Sequence, residues 1–145
     1  MKFISSSFDP ETGISTVVMQ HLGEKFEGTA KVHPDERDHM SELGGCYIAE
    51  IRATIKALKY ERNLLKQDAE AARYFVKTCE DYSKFNKDDD TAKCMYRQLN
   101  RRIKKVNDIA DTINNCYKEL YWATKARSKT LRLLGDIKKS KEDNS

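Results

Sequence analysis

Proline and glycine are scarce in this 145-residue sequence, and nearly all of them lie near its start. Both prolines and five of the six glycines fall within residues 10–45, and Gly135 is the sole glycine beyond them. Because these residues form turns and interrupt helices, their distribution predicts a turn-rich β region followed by a long helical region. The length is that of one domain.

Long apolar runs are also missing, so no segment is predicted to span a bilayer. The first ten residues, MKFISSSFDP, are too short and too polar for a signal peptide. We therefore expect a cytoplasmic protein with no membrane partner.

Signatures of common enzymes are absent as well. The sequence has no glycine-rich phosphate loop, no Gly-x-Ser-x-Gly turn and no His-Glu-x-x-His motif. The run Asp88-Asp89-Asp90 lacks the alternating carboxylates of a calcium loop, so we interpret it as a solvated loop that caps a helix. These observations predict a protein that is not an enzyme and that has no catalytic residue, metal or cofactor.

Cysteine usage does not indicate a metal site. The four cysteines form no Cys-x-x-Cys pair, and no histidine lies at ligand spacing from them. We expect free thiols in a reducing compartment, two of them on apolar helix faces as small buried side chains. The cysteines are Cys46, Cys79, Cys94 and Cys116, and the two expected on apolar faces are Cys79 and Cys116.

The turn-rich region predicts a three-stranded antiparallel β-meander. Lys2–Phe8, Ile14–Gln20 and Lys25–Val32 have the alternation or the β-branched residues of strands. Residues 9–13 and 21–24 have the composition of turns. A sheet this small needs another element to cover its apolar face.

Apolar residues at every third or fourth position predict two long helices after the meander. A polar turn at 86–90, with Asp90 as the N-cap, separates them. Helices of this pattern with a short connection fold back as an antiparallel coiled-coil hairpin. The predicted fold is α+β and mostly α, an oligomer of single-domain chains with a meander (1–33), a connecting turn or short helix (34–47), two helices (48–85 and 91–138) and a polar tail (139–145).

Arg62 and Arg127 interrupt the apolar seams of these helices. If the hairpin folds about Asp88, residues whose numbers sum to about 176 face each other. That register places Arg62 near Asn114 and Arg127 near Glu50. The pairs either fix the register, since an unpaired buried charge is costly, or one of the arginines lines a ligand pocket.

Apolar side chains off the main seam indicate an assembly larger than one chain. The meander can cover one end of the hairpin at most, so these side chains need cover from other copies. We expect a homodimer or a higher homo-oligomer. The side chains are Tyr47, Tyr74, Phe75, Ile109, Cys116 and Trp122.

Charge is unevenly distributed along the chain. Residues 1–90 have 13 Lys and Arg against 17 Asp and Glu, a net of −4. Residues 91–139 have 13 against 4, a net of +9, and residues 140–145 have 1 against 2, a net of −1. An anionic partner should therefore bind the second helix.

Aromatic, amide and cationic side chains cluster near the predicted hairpin tip and along the second helix. Aromatic rings stack on bases, Arg and Lys bind phosphates, and Asn reads a base edge. The same set occurs on solvated coiled-coil faces, so both interpretations stay open at this point. The residues are Tyr82, Phe85, Asn86, Lys93, Tyr96 and Arg97 near the tip, and Asn100, Arg101, Arg102, Lys104 and Lys105 beyond it.

The segment HPDERDHMSELGGCYIAEIRATIKALK (33–59), preceded by GEKFEGTAKV, resembles small phage proteins of the Thoeris anti-defence sponge family, first type. The layout of a β region followed by two long helices agrees over nearly the whole chain. The matching features are Gly28-x-Ala30-Lys31, His33-Pro34-x-x-x-Asp38, Ser41, Gly45-Cys46-x-x-Ala49-Glu50-x-Arg52-Ala53 and Leu58-Lys59.

The resemblance implies a function. Members of that family bind cyclic ADP-ribose isomers made by bacterial TIR-domain immune proteins, and they sequester the signal without cleaving it. Some members also hold cyclic oligonucleotides at separate sites in a higher oligomer. The implied pocket lies at a subunit interface near the hairpin tip and uses an aromatic residue, an asparagine and several arginines. Here Tyr82 or Phe85 would stack on the adenine, and Asn86 or Asn100 would supply the amide.

The cationic residues implied by the resemblance come from several segments. Arg97, Arg101 or Arg102 would hold the pyrophosphate from the second helix. Lys31 stands where a strand-end cation is expected, although lysine cannot make the bidentate contact of arginine. Arg62 would take part if a dimer exchanges elements across its interface.

Four functions compete. The first is a phage-encoded sponge for nucleotide signals that acts in the cytoplasm of the infected bacterial host. The second is a nucleic-acid-binding accessory protein, against which the acidic first helix and the near-neutral total charge argue. The third is a structural coiled-coil adaptor, and the fourth is an enzyme that degrades the signal.

Overall fold

The computed structural model describes residues 1–31 and 39–143, with side chains in 39–41, 127–132, 134–136 and 138–143 outside the description. Three strands, β1 (Lys2–Asp9), β2 (Ile14–His21) and β3 (Glu24–Lys31), form an antiparallel sheet in the order β1-β2-β3. The predicted meander is therefore confirmed. Val32 and the predicted turn or short helix at 33–38 lie outside the described residues.

The two turns of the sheet have the chemistry that their conformations require. Between β1 and β2, Asp9 accepts hydrogen bonds from Glu11 N at its Oδ1 (2.9 Å) and from Gly13 N at its backbone oxygen (2.7 Å). Between β2 and β3, Leu22 and Gly23 have φ of 52° and 80°. Positive φ at both central residues is what a two-residue type I′ hairpin needs, and this turn matches the twist of the strands.

Two long helices follow, α1 (His39–Glu80, 42 residues) and α2 (Asp90–Asp143, 54 residues). Described residues 39–47 are helical rather than a connecting turn, so the predicted start at Ile48 is wrong. Gly44 and Gly45 both lie inside this helix, and an added Cβ at Gly44 would have nothing within 4 Å. Glycine weakens a helix by only about 1 kcal/mol, which neighbouring contacts can offset.

The far ends of the helices also differ from the prediction. α1 ends at Glu80 rather than at 85, because Tyr82 N bonds to Cys79 O (3.1 Å) and Phe85 N to Tyr82 O (3.0 Å) in successive tight turns. α2 continues through residues 139–143, which were predicted to be a polar tail. Within the described residues, neither helix has the length and apolar character needed to cross a membrane.

The chain forms two compact units, Met1–Ala57 with Asn115–Ser145, and Leu58–Asn114. In the first unit the sheet packs on the start of α1, and half-buried Leu120 and Ala123 of α2 border the same core. Tyr117 of α2 is 42% exposed. The buried core consists of Val17, Met19, Ala30, Ile48, Ala49 and Ala53.

Strand β3 and helix α1 approach each other at backbone distance. A Cβ added at Gly28 would lie 1.9 Å from Ala49 O and 2.5 Å from Ala53 N, so only glycine fits at this position. Arg52 and Lys56, further along α1, donate to backbone oxygens on the outer edge of β3. The acceptors are Thr29 O for Arg52 Nη1 (2.7 Å) and Glu27 O for Lys56 Nζ (2.7 Å).

In the second unit, the two helices pair in antiparallel fashion with a register other than the predicted one. Arg102 Nε binds Asp68 Oδ2 at 3.0 Å, whereas folding about Asp88 would place Asp68 opposite Asp108. Because α1 ends at Glu80 and α2 begins at Asp90, the chain turns back about residue 85. Asp68 and Arg102 are each 12 residues from their helix ends.

Several other residues also have surroundings that differ from the predicted ones. Ile109 was expected to need cover from another copy, but it is buried within its own unit at 8% exposure. The predicted Arg62–Asn114 contact has no support, because Arg62 Nε is buried without a hydrogen-bond partner among the described residues. The predicted Arg127–Glu50 pair involves a side chain outside the description. Four expected aromatic side chains are exposed: Tyr47, Tyr74, Phe75 and Trp122.

Candidate functional site

The connection between the helices has an aromatic pair at its centre. Phe85 packs against Tyr96, in the second turn of α2, with ring centroids 6.4 Å apart and planes at 76°. Tyr82 is 62% exposed beside this pair in the sequence. We call Tyr82, Phe85 and Tyr96 the tip aromatics; the ring of Tyr82 is exposed, and those of Phe85 and Tyr96 are half-buried.

Tyr96 is the member of this group to which the family resemblance assigns no role. Desolvation raises the pKa of its hydroxyl, and the nearby Glu80 carboxylate adds to the shift by charge and by accepting a hydrogen bond. The hydroxyl therefore stays protonated at neutral pH as a donor to Glu80. The sequence grouped Tyr96 with the residues near the predicted tip, but it did not show the contact between Tyr96 and Phe85.

Asn86 has a structural role in the connection. Its Oδ1 accepts Asp88 N at 3.0 Å, and its backbone oxygen accepts Asp89 N at 3.2 Å. The next bond, Lys93 N to Asp89 O at 3.0 Å, makes Asp89 the N-cap of α2 in place of the predicted cap Asp90, which is the first residue of the helix. The side-chain and backbone oxygens of Asn86 thus both accept hydrogen bonds within the turn. The side-chain NH₂ group is the part of Asn86 that remains to bind a ligand.

One side of α2 next to the tip is cationic and exposed. Arg97, Asn100 and Arg101 are spaced at i, i+3 and i+4, so they share a face, and Lys93 and Lys104 extend it by one turn each way. All five side chains are exposed. We call this set the basic face. Arg97 Nε bonds only loosely to Lys93 O at 3.4 Å, so its guanidinium has donors left for an anion.

Arg102 points to a different side of the helix. Its Nε binds Asp68, and its Nη1 donates to Gln98 O at 3.3 Å. The side chain is 35% exposed. Because its charge already has a carboxylate partner, Arg102 fits a role in fixing the helix pair better than a role in binding phosphate.

Of the remaining predicted residues, Arg62 lies away from the tip and Lys31 belongs to the other unit. Arg62 is 18 residues before the end of α1, which at 1.5 Å per residue corresponds to about 27 Å along the helix. A single small nucleotide cannot reach both Arg62 and the tip aromatics in one copy. Lys31 is exposed at the end of β3 and belongs to the first unit. In the second unit, the tip aromatics, Arg97, Asn100 and Arg101 therefore lie near the connection, and Arg62 lies well back along α1, whereas Lys31 is part of the first unit.

The first unit has an exposed aromatic surface of its own on α2. Tyr121 and Trp122 pack edge to face at 5.5 Å, and Lys125 Nζ lies 5.6 Å and 5.2 Å from their ring centroids. Tyr47 donates a hydrogen bond to Glu119, which is the largest cause of a raised pKa at Tyr47. Cation–π contacts of this type stabilise exposed aromatic rings by about 0.5–1 kcal/mol.

Metal binding has no candidate in the described part of the chain, where no three His, Cys, Asp or Glu residues are grouped to hold an ion. Comparison of the chain with protein families, with curated proteins and with solved structures found no match.

Proposed function

We propose that this protein binds and sequesters an anionic nucleotide signal of the cyclic ADP-ribose type, as a phage-encoded inhibitor of bacterial Thoeris immunity. The observation that carries the proposal is that Tyr96, which packs against Phe85, stands on α2 four residues before Asn100 of the basic face. An aromatic pair next to exposed arginines combines a surface for a base with donors for a pyrophosphate. The sequence resemblance over residues 28–59 supports the same class of ligand.

Each group has a specific role in this proposal. Phe85 or Tyr82 stacks on the adenine, Asn100 donates to the base or a ribose, and Arg97 and Arg101 bind the two phosphates. Guanidinium groups suit this task because they offer paired donors that match phosphate oxygens. Sequestration requires affinity rather than bond cleavage, so the proposal assigns no nucleophile and no general base.

The proposal also includes a homo-oligomer in the cytoplasm of the infected bacterium. Tyr82 and the basic face of one chain are open to water, and a ligand gains most from charged hydrogen bonds that are desolvated. A second copy that covers the tip would supply this desolvation. Arg62, whose buried Nε lacks a partner among the described residues, is the arginine that another copy could bring to such an interface.

Isothermal titration of the purified protein with cyclic ADP-ribose isomers tests the proposal. We expect saturable binding, and recovery of chemically unchanged ligand after heat release, measured by mass spectrometry. Charged hydrogen bonds contribute about 1.5–3 kcal/mol each, so Arg101→Gln should weaken binding roughly ten- to hundredfold. Phe85→Ala should cost a similar factor through lost stacking, at about 1–3 kcal/mol.

Arg73→Gln provides the matched control, because Arg73 is an exposed arginine of the same unit outside the basic face. It removes the same charge, and its affinity should stay within about twofold of the unmodified protein. Failure of every isomer to bind at concentrations far above micromolar would refute the proposal. Binding followed by breakdown of the ligand would identify an enzyme instead.

The exposed basic face also favours a second candidate, a nucleic-acid-binding accessory protein. Phosphate contacts release counterions, so binding to DNA or RNA should weaken steeply with salt and strengthen with polymer length. Binding to a small cyclic nucleotide lacks the dependence on length. Titration of a short and a long oligonucleotide at two salt concentrations therefore separates the two candidates.

A further inference from the structure

The two edges of the sheet differ in how they are covered. The outer edge of β3 is closed by Arg52 and Lys56 of α1, which donate to its backbone oxygens. In the part of the chain that the structure describes, β1 has a neighbouring strand on one side only. All of Lys2–Ser7 is exposed. An eight-residue strand with an open edge is a template for pairing with another strand.

The contacts on β3 show which backbone N–H and C=O groups of β1 face the open edge of the sheet. Since Glu27 O and Thr29 O point away from β2, their opposite residues Val18 and Thr16 direct their backbone groups towards β1. In β1 the residues opposite them are Ser5 and Ser7. Ser6 and Phe8 alternate with these two, so their N–H and C=O groups face the open edge.

The pairing of β1 with β2 makes β1 symmetric about Ser6. Seven residues of β1 have partners on β2, and Ile4 is skipped at a bulge between Phe3 and Ser5. Ser6, opposite Val17, is the fourth of these seven positions. In a strand pair that is related by a two-fold axis at Ser6, Ser5 faces Ser7 of the second copy. Phe3 then faces Phe8, and Lys2 faces Asp9.

We propose that β1 pairs with β1 of a second copy of this chain across a two-fold axis at Ser6, which joins two sheets into one of six strands. The paired positions are complementary in charge and in apolar character. Lys2 of each copy meets Asp9 of the other, and Phe3 meets Phe8. Cross-strand pairs of these two kinds each contribute favourably to a sheet.

The bulge at Ile4 is essential to this match. It adds one residue to β1 without adding a position in the sheet. Without it, Lys2 would lie one position further out and would pass the end of the second copy's strand beyond Asp9. Phe3 and Phe8 also lie on the same side of the sheet, since their β2 partners Met19 and Ser15 are both buried. The contact therefore extends the apolar layer under the sheet.

Sedimentation equilibrium of the full chain tests the pairing, with Ser6→Pro as the main variant. Proline removes the outward N–H of Ser6, and it is compatible with an edge strand at a position that does not bond to its neighbour. We expect a concentration-dependent dimer for the unmodified protein and for the control Ser6→Ala. Ser6→Pro should weaken dimerisation at least tenfold, with an unchanged circular dichroism spectrum.

A charge variant tests the same register without proline. Lys2→Glu places a carboxylate opposite Asp9 of the other copy, and the two-fold axis repeats this repulsion on both sides. The variant should therefore weaken the dimer several-fold. Lys25→Glu, at an exposed position on β3, makes the same change in charge and should have no effect. Hydrogen exchange should show concentration-dependent protection of the Ser6 and Phe8 amides.

Three results would overturn the proposal. One is a chain that stays monomeric at every concentration. Another is an oligomer that is indifferent to both Ser6→Pro and Lys2→Glu, which would place the interface on the helices. The third is a monomer whose Ser6 and Phe8 amides become protected only on adding an unrelated extended peptide, which would assign this edge to a foreign partner.

Discussion

Gly28 is a position where the fold has no space for any residue larger than glycine. A Cβ at this residue would lie 1.9 Å from Ala49 O, whereas ordinary van der Waals contact begins at 3.4 Å. The atoms in the way belong to the helix backbone, so no side chain can rotate aside. Gly28→Ala therefore requires β3 and α1 to separate by about 1.5 Å along this contact.

The energetic cost follows from what that separation would open. Ala49 and Ala53 are fully buried against the sheet, and Val17 and Ala30 share their core. Overpacking typically costs about 1–3 kcal/mol, and a rigid backbone obstacle places this case at the upper end. We expect Gly28→Ala to lower the free energy of unfolding by about 3 kcal/mol, and the melting temperature by roughly 6–12 °C for a chain of this size.

Gly44→Ala is the matched control. Gly44 lies within α1 and has nothing within 4 Å of its added Cβ, so the same chemical change should stabilise the protein by about 0.5–1 kcal/mol. Unfolding should be followed by circular dichroism and by the fluorescence of Trp122, the one tryptophan, which lies in the first unit. A Gly28→Ala variant as stable as the unmodified protein would refute the close approach of β3 to α1.

Three further predictions concern single contacts. Ser15 is fully buried and its Oγ lacks a partner among the described residues, so Ser15→Ala should raise the free energy of unfolding by about 1 kcal/mol in denaturant titrations. A double-mutant cycle on Asp68 and Arg102, which are 60% and 35% exposed, should give a coupling of about 0.2–1 kcal/mol that decreases with salt. Exposed Cys94 should be the first cysteine to react with a disulfide reagent, and Cys94→Ser should abolish this fast phase. Cys116 should react slowly, because burial and, to a lesser degree, Glu119 raise the pKa of its thiol.

The sheet could be predicted almost to the residue because local signals determine it. Alternation of side chains fixes the strands, and the turn residues after Asp9 and His21 fix where they end. The sequence also placed Gly28 on the apolar face of β3. It could not show that the face at this position meets the backbone of α1, because that contact depends on how the helix lies across the sheet.

The helix register and the binding surface could not be predicted from the spacing of apolar residues. Apolar spacing predicted two helices, but the end of α1 was placed at 85, directly before the polar turn at 86–90, whereas the helix ends at Glu80. Moving the turning point from residue 88 to about 85 shifts every partner by six residues, which is why Asp68 meets Arg102 rather than Asp108. Arg62 was assigned to the site only through a second copy, and its position about 27 Å from the end of α1 keeps it from the tip aromatics of its own chain.

The two proposed interfaces together predict how assembly responds to ligand. The β1 pairing uses residues of the first unit, whereas a copy that covers the tip aromatics would contact the second unit. Two different two-fold contacts on one chain build assemblies larger than a dimer. We therefore expect a saturating cyclic ADP-ribose isomer to increase the mass of the unmodified protein beyond a dimer in sedimentation velocity. Ser6→Pro should stop at a ligand-dependent dimer, because only the tip contact remains to it. A mass that ligand leaves unchanged in both proteins would show that one copy binds the nucleotide alone, and Arg62 would then have no part in the site.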